Sequence, residues 1–126
     1  MNITHAAFVT LPVADQDKAK DFYVNTLGFE VLVDQAVGSQ RWIQVGPPGA
    51  QTSFTLVPAG KGGFELGSAR GIMLESSDID ADCAALAKAG VTVSEPVRMP
   101  WGRRQTNFTD PDGNSFTLSC ALPVGA

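Results

Sequence analysis

The tetrapeptide Ser-Phe-Thr-Leu occurs twice, as Ser53-Phe54-Thr55-Leu56 and as Ser115-Phe116-Thr117-Leu118, in a chain of 126 residues. The spacing is 62, and the landmarks around each copy keep it to within one residue, 63 from Asp15 to Asp78 and 62 from Gly28 to Gly90. Asp15 stands at the N-cap of a helical pattern that places Ala19, Phe22, Tyr23 and Leu27 on one face, and Gly28 supplies a left-handed stop. Asp78 does the same for Ile79, Cys83, Leu86 and Ala87, with Gly90 as the stop. Three landmarks in one register identify a duplicated module.

Alternating strand patterns fill the rest of each copy. In the first they run over Ala7–Val13, then Glu30–Asp34, Arg41–Val45 and Ser53–Val57 after the helix, with Gly46-Pro47-Pro48-Gly49 as a turn. In the second they run over Gly71–Ser76, Thr92–Arg98, Arg103–Phe108 and Ser115–Cys120. The order is strand, helix, three strands, twice: an α+β chain of two βαβββ modules. The whole of 1–126 reads as a single domain, with module one over about 3–57, a glycine-rich linker over 58–70 and module two over about 71–121. Gly60-Lys61 in the linker lacks the flanking residues of a phosphate loop.

Composition narrows the function classes. A hydrophobic share of 44% supports a core, and a net charge of −4 gives no general attraction to nucleic acid or an anionic membrane. No apolar run reaches the roughly 20 residues of a membrane span, and no secretory signal is visible at the N-terminus. Cys83 and Cys120 have no CxxC spacing and read as reduced thiols of a cytoplasmic protein.

Strand alternation assigns the faces. In both SFTL copies Phe and Leu point towards the helix of their own module. Ser53, Thr55 and Val57, and Ser115, Thr117 and Ser119, point the other way, onto a face too polar for an ordinary core. Two such sheets are expected to curl into a cup, helices outside.

With these residues in place the chain resembles the vicinal oxygen chelate superfamily, which includes glyoxalase I, extradiol dioxygenases and the fosfomycin and bleomycin resistance proteins. The matching residues are Val13-Ala14-Asp15, Asp21-Phe22-Tyr23 and Leu27-Gly28-Phe29, and the closing Phe108-Thr109-Asp110-Pro111-Asp112-Gly113-Asn114. The resemblance covers residues 3–121 and implies a glyoxalase/bleomycin resistance-like fold and a homodimer. It also implies a divalent metal held by His and Glu at four equivalent strand positions. Here those positions fall at Phe8, Thr55, Gly71 and Thr117, none of which is a strong donor to a hard cation, so no metal site is expected. His5, the only histidine, alternates away from the cup and reads as a surface residue. Asp110 and Asp112 read as turn formers that bond local backbone amides.

The remaining cup face carries Phe8, Thr10, Trp42, Gln44 and Thr55 from module one. Module two adds Met73, Glu75, Arg103, Gln105, Asn107 and Thr117, with Trp101 just before its strand. Aromatic surface with a few polar anchors suits a partly aromatic organic ligand or antibiotic, and Arg103 or Arg104 offers a donor fork for a carboxylate or phosphate. Against this stands the reading that the tryptophans pack at sheet edges and the arginines are solvated. Glu75 is the candidate acid or base if burial raises its pKa; the alternative is a carboxylate paired with a neighbouring arginine. Three functions stay open: metal-independent small-molecule binding, a superfamily lyase, isomerase or dioxygenase (metal-dependent, or using Glu75 without metal), and a protein-interaction module. The first accounts for most of the residues.

Overall fold

A computed structural model describes residues 1–122. The first copy forms β1 (Phe8–Val13), α1 (Gln16–Asp21), β2 (Glu30–Val37), β3 (Gln40–Gly46) and β4 (Ser53–Pro58). Asp15 caps α1 as its sequence position requires, its carboxylate accepting from Lys18 N at 3.0 Å. The expected helix to Leu27 does not stay α-helical: over Phe22–Thr26 it widens to a π-helical turn closed by Leu27 N donating to Phe22 O at 3.1 Å. Phe22 and Tyr23 both enter the core there, whereas Leu27 is only half-buried. The strands lie in the order β1-β4-β3-β2, with β1 parallel to β4 and the other pairs antiparallel.

Period-two alternation then builds the core. Leu11 and Val13 on β1, Ile43 and Val45 on β3, and Phe54 and Leu56 on β4 share the helix-facing side and are buried. Phe29 stacks on Phe54 at 6.0 Å and lies 5.8 Å from Tyr23, joining helix to sheet through aromatic rings. Burial of such side chains stabilises by about 1.5–3 kcal/mol each.

The second copy forms β5 (Ile72–Glu75), α2 (Ile79–Lys88), β6 (Val97–Met99), β7 (Arg103–Thr109) and β8 (Ser115–Ala121), in the order β5-β8-β7-β6. The identical strand order makes the duplication a fact of topology as well as of sequence. Ile79, Leu86, Phe108, Phe116 and Leu118 are its core, while Cys83 is half-buried and Ala87, expected on the packed face, is exposed. The expected strand over Thr92–Arg98 shrinks to Val97–Met99. Pro96 has no N–H to give a ladder, and Ser94 is held by a side chain instead: Thr106 Oγ1 donates to its carbonyl at 2.7 Å.

The chain divides into two compact units, Met1–Ala69 with Pro111–Asn114, and Arg70–Asp110 with Ser115 onward. Bonding of the Pro111–Asn114 turn is not confined to its own neighbours. Asp112 Oδ1 accepts from Ala14 N at 3.2 Å, Asn114 Nδ2 donates to Pro12 O at 2.9 Å, and Asn114 Oδ1 accepts from Ala69 N at 3.1 Å. Asn114 is fully buried. Gly67, at φ 64°, lets the backbone pass so close that a Cβ would lie 2.2 Å from Asp112 O.

Candidate functional site

Within the first unit, the sheet face opposite α1 carries Phe8 and Thr10 on β1, Trp42 and Gln44 on β3, and Ser53, Thr55 and Val57 on β4. Thr10, Thr55 and Gln44 lie side by side across the three strands. The Trp42 indole meets Phe8 edge-on at 5.6 Å and donates from Nε1 to Gln44 Oε1 at 2.7 Å. Gln44 Nε2 in turn donates to Ser53 Oγ at 3.0 Å. A three-residue relay thus fixes the ring of Trp42 against the sheet. Thr55, 1% exposed, is left out of it: its Oγ1 is the one buried side-chain polar atom among the described residues without a hydrogen-bond partner.

The β3–β4 ladder joins only Gln44 to Thr55 and Val45 to Phe54; beyond them the two strands lack ladder pairing. Gln16, at the start of α1, fills the missing bonds, its Nε2 donating at 2.9 Å to both Arg41 O and Leu56 O. Beside this gap opens a cavity of about 460 Å³, with Thr10, Trp42, Thr55, Val57, Pro58 and Phe64 in its wall. That volume lies in the range of small-molecule sites. Arg41 is the one charged side chain among the described residues lining it. All three of its guanidinium nitrogens are committed: Nε and Nη2 to the Asp34 carboxylate at 2.8 Å each, and Nη1 to Asp17 at 2.6 Å. Lys20 joins Asp34 at 2.7 Å. The Arg41 and Lys20 hydrogen bonds hold the Asp34 carboxyl far below the usual carboxylate range, and Asp34 and Asp17 push Arg41 further up.

In the second unit the equivalent face is satisfied internally. Thr117 Oγ1 donates to Asn107 Oδ1 at 2.8 Å. Arg103 ion-pairs with Glu75 and donates from Nε to Ser119 Oγ at 2.6 Å, and Gln105 Nε2 reaches the same hydroxyl at 3.4 Å. Glu75 is therefore the paired carboxylate of the two readings, with two-thirds of its side chain exposed (66%). Arg104 points to the helix side and grips Asp80 on α2 with two bonds of 2.8 and 2.9 Å. Those bonds lower the Asp80 pKa and raise that of Arg104. Neither arginine is a vacant anion fork. Met73 lies across from Thr117 on β5 and is exposed, and Trp101, in the turn before β7, is 64% exposed.

The structure thus gathers Trp42 and Thr55 at one cavity, with Phe8 and Gln44 supporting Trp42. It gathers Glu75, Arg103 and Gln105 around Ser119, and leaves Trp101 apart. Sequence reasoning missed Gln16, Arg41 and Phe64. Phe64 carried a signal, being a large aromatic inside a glycine-rich run; Gln16 carried none, because its role depends on where two strands part.

The metal that the fold implies can be tested against the residues present. Thr55 faces Thr10 across the parallel ladder, not Phe8, and Thr117 faces Met73, not Gly71, which precedes β5. None of these supplies an imidazole or carboxylate. Among the described residues no three His, Cys, Asp or Glu side chains come together as a metal site. His5 is exposed and sits 2.9 Å from Thr4 Oγ1. The donor set does not fit a hard divalent cation.

Two βαβββ modules in tandem, each with a helix on one side of a four-stranded sheet, define the glyoxalase/bleomycin resistance class of α+β protein. Residues 2–118 match the Glyoxalase/Bleomycin resistance protein/Dioxygenase superfamily, and the chain belongs to it. It is 49% identical to TnmS3, an antibiotic binding protein from Streptomyces sp. CB03234, with a TM-score of 0.87 over 96% of this chain and 98% of that one. A superfamily member from Sphaerobacter thermophilus DSM 20745 is 44% identical, with a TM-score of 0.87 over 95% of this chain and 99% of that one. YetH of Bacillus subtilis (strain 168) is 34% identical over 87% of this chain and 92% of its own length. Among the described residues no helix is long and apolar enough to cross a membrane.

Proposed function

We propose that this protein binds a partly aromatic organic molecule, of the antibiotic type, without a metal ion. The observation that carries this reading is the cavity beside β3 and β4, walled by Trp42, Phe64 and Thr55, whose buried hydroxyl has no hydrogen-bond partner among the described residues. The misfit of the strand positions to a divalent cation supports metal independence, and the similarity to an antibiotic binding protein supports the ligand class. Affinity would come from the indole and phenyl surfaces, which the Gln44 relay holds ready before any ligand arrives. The Glu75–Arg103 ion pair favours a structural part for Glu75. The free thiols of Cys83 and Cys120 fit a reducing, cytoplasmic setting, and a homodimer is the assembly the resemblance implies.

The test is a thermal-shift screen of aromatic antibiotics and metabolites in excess chelator, followed by calorimetry on each hit. A ligand that raises the unfolding temperature equally with and without chelator, is recovered unchanged, and loses affinity in Trp42→Ala bears the reading out. Binding that needs added metal, or conversion of the ligand, overturns it.

A further inference from the structure

Gln44–Thr55 and Asn107–Thr117 occupy the same register in the two sheets, so the duplication supplies its own comparison. In the second sheet Asn107 reaches straight across and takes the Thr117 hydroxyl. In the first, the side chain one methylene longer turns to Trp42 and Ser53 and passes Thr55 by. The Thr55 hydroxyl is shielded from solvent as well as unpaired, so water does not serve it. A buried donor left unmade costs more than a spare lone pair, since an oxygen has two. The partner that relieves it best is an acceptor. Charge narrows the choice further. Among the described residues, the Arg41 and Lys20 cations near the cavity are balanced by Asp34 and Asp17, so none of these four offers an ionic group an uncompensated partner.

Resting on the small-molecule reading above, we propose that the module-one cavity selects an uncharged aromatic ligand bearing a carbonyl-type acceptor. Thr55 donates to that acceptor, and Gln44 is the positioning residue that keeps the hydroxyl available. Because Oγ1 is shielded from solvent in the free protein, the wall at Thr55 opens to it as the ligand seats.

Three probes of one shape test this: acetylnaphthalene, isopropylnaphthalene and naphthoate, titrated by fluorescence into the wild-type protein, Thr55→Val and Gln44→Asn. Wild type should prefer the acetyl compound to the isopropyl compound by about 5–10-fold, as one net hydrogen bond provides, and bind naphthoate least. Thr55→Val should abolish the preference and leave isopropylnaphthalene affinity within about twofold, a difference of a few tenths of a kcal/mol. Gln44→Asn should also abolish the preference, because the shorter amide claims Thr55 as Asn107 claims Thr117, while loss of the Trp42 relay weakens the acetyl and isopropyl compounds alike. Cooperative unfolding of each variant shows that the fold is intact. Binding of the probes with no acetyl preference, a preference that survives Thr55→Val, or tightest binding of naphthoate overturns this inference alone. Binding of none of the three overturns it together with the small-molecule reading.

Discussion

The Gln44 and Thr55 side chains face each other on neighbouring strands without a hydrogen bond between them, while those of Asn107 and Thr117, at the same register of the repeat, are joined at 2.8 Å. The free protein therefore keeps an unsatisfied hydroxyl at Thr55. Removing it should stabilise: Thr55→Val keeps the shape of the side chain and relieves a desolvation cost of about 1 kcal/mol, the low end for a buried polar group. Thr117→Val removes a satisfied bond and should destabilise by about 0.5–1 kcal/mol. Opposite signs in thermal unfolding are the expected result, with shifts of about 3–5 °C per kcal/mol for a chain of this size. A loss of stability in Thr55→Val would show that the hydroxyl has a partner in solution.

The Gln16 clamp makes a second prediction. Its amide stands in for ladder bonds at Arg41 O and Leu56 O, so Gln16→Leu leaves two carbonyls at the β3–β4 gap without that donor. A cost of about 1–3 kcal/mol is expected. Amide hydrogen exchange should also accelerate over residues 41–43 and 56–57 more than over β7 and β8. Uniform acceleration across both sheets would mean that Gln16 supports the fold at large and not this gap.

The fold was legible because each element repeats a pattern that local chemistry enforces twice: Asp15 and Asp78 as caps, Gly28 and Gly90 as stops, Phe-Thr-Leu alternation on β4 and β8. That Glu75 pairs with an arginine was legible too, as one of two alternatives, but not that the arginine is Arg103. What sequence did not reveal depends on contacts far apart in the chain. Asp112 bonds Ala14, Gln16 bridges Arg41 and Leu56, and Arg104 lies on the helix side with Asp80. The difference between Gln44 and Asn107 is visible as letters, yet only the side-chain directions show that one methylene decides whether a hydroxyl is left over.

Acid should probe the Arg41–Asp34–Lys20 cluster. The hydrogen bonds from Arg41, then Lys20, depress the folded-state pKa of Asp34 below its unfolded value of about 3.9. A depressed carboxyl contributes stability that is present above the unfolded pKa and is lost as pH falls towards the folded pKa. Asp34→Asn should therefore lower the unfolding temperature at pH near 7, and the gap to wild type should close below about pH 4. Its size at neutral pH is expected to stay near that of surface ion pairs, because the Asp34 side chain is 22% exposed. A gap that persists unchanged into acid would assign the effect to packing instead of charge.

Gly67 tests the attachment of the Pro111–Asn114 turn to the first unit. Two demands fall on one residue: a φ of 64°, which L side chains rarely adopt, and a backbone approach that places any Cβ 2.2 Å from Asp112 O. The atom in the way is a carbonyl, so it moves only if the turn moves. Gly67→Ala should cost more than about 1 kcal/mol, outweighing the gain that alanine brings where it tolerates a glycine's conformation. The turn should also loosen, with the Ala14 and Ala69 amides, bonded to Asp112 and Asn114, exchanging faster. Asn114→Ala should loosen the Ala69 amide by a different route, leaving Gly67 intact while deleting the bonds to Pro12 O and Ala69 N. If Gly67→Ala unfolds at the wild-type temperature while Asn114→Ala does not, the side-chain bonds hold the turn and the close backbone approach is incidental.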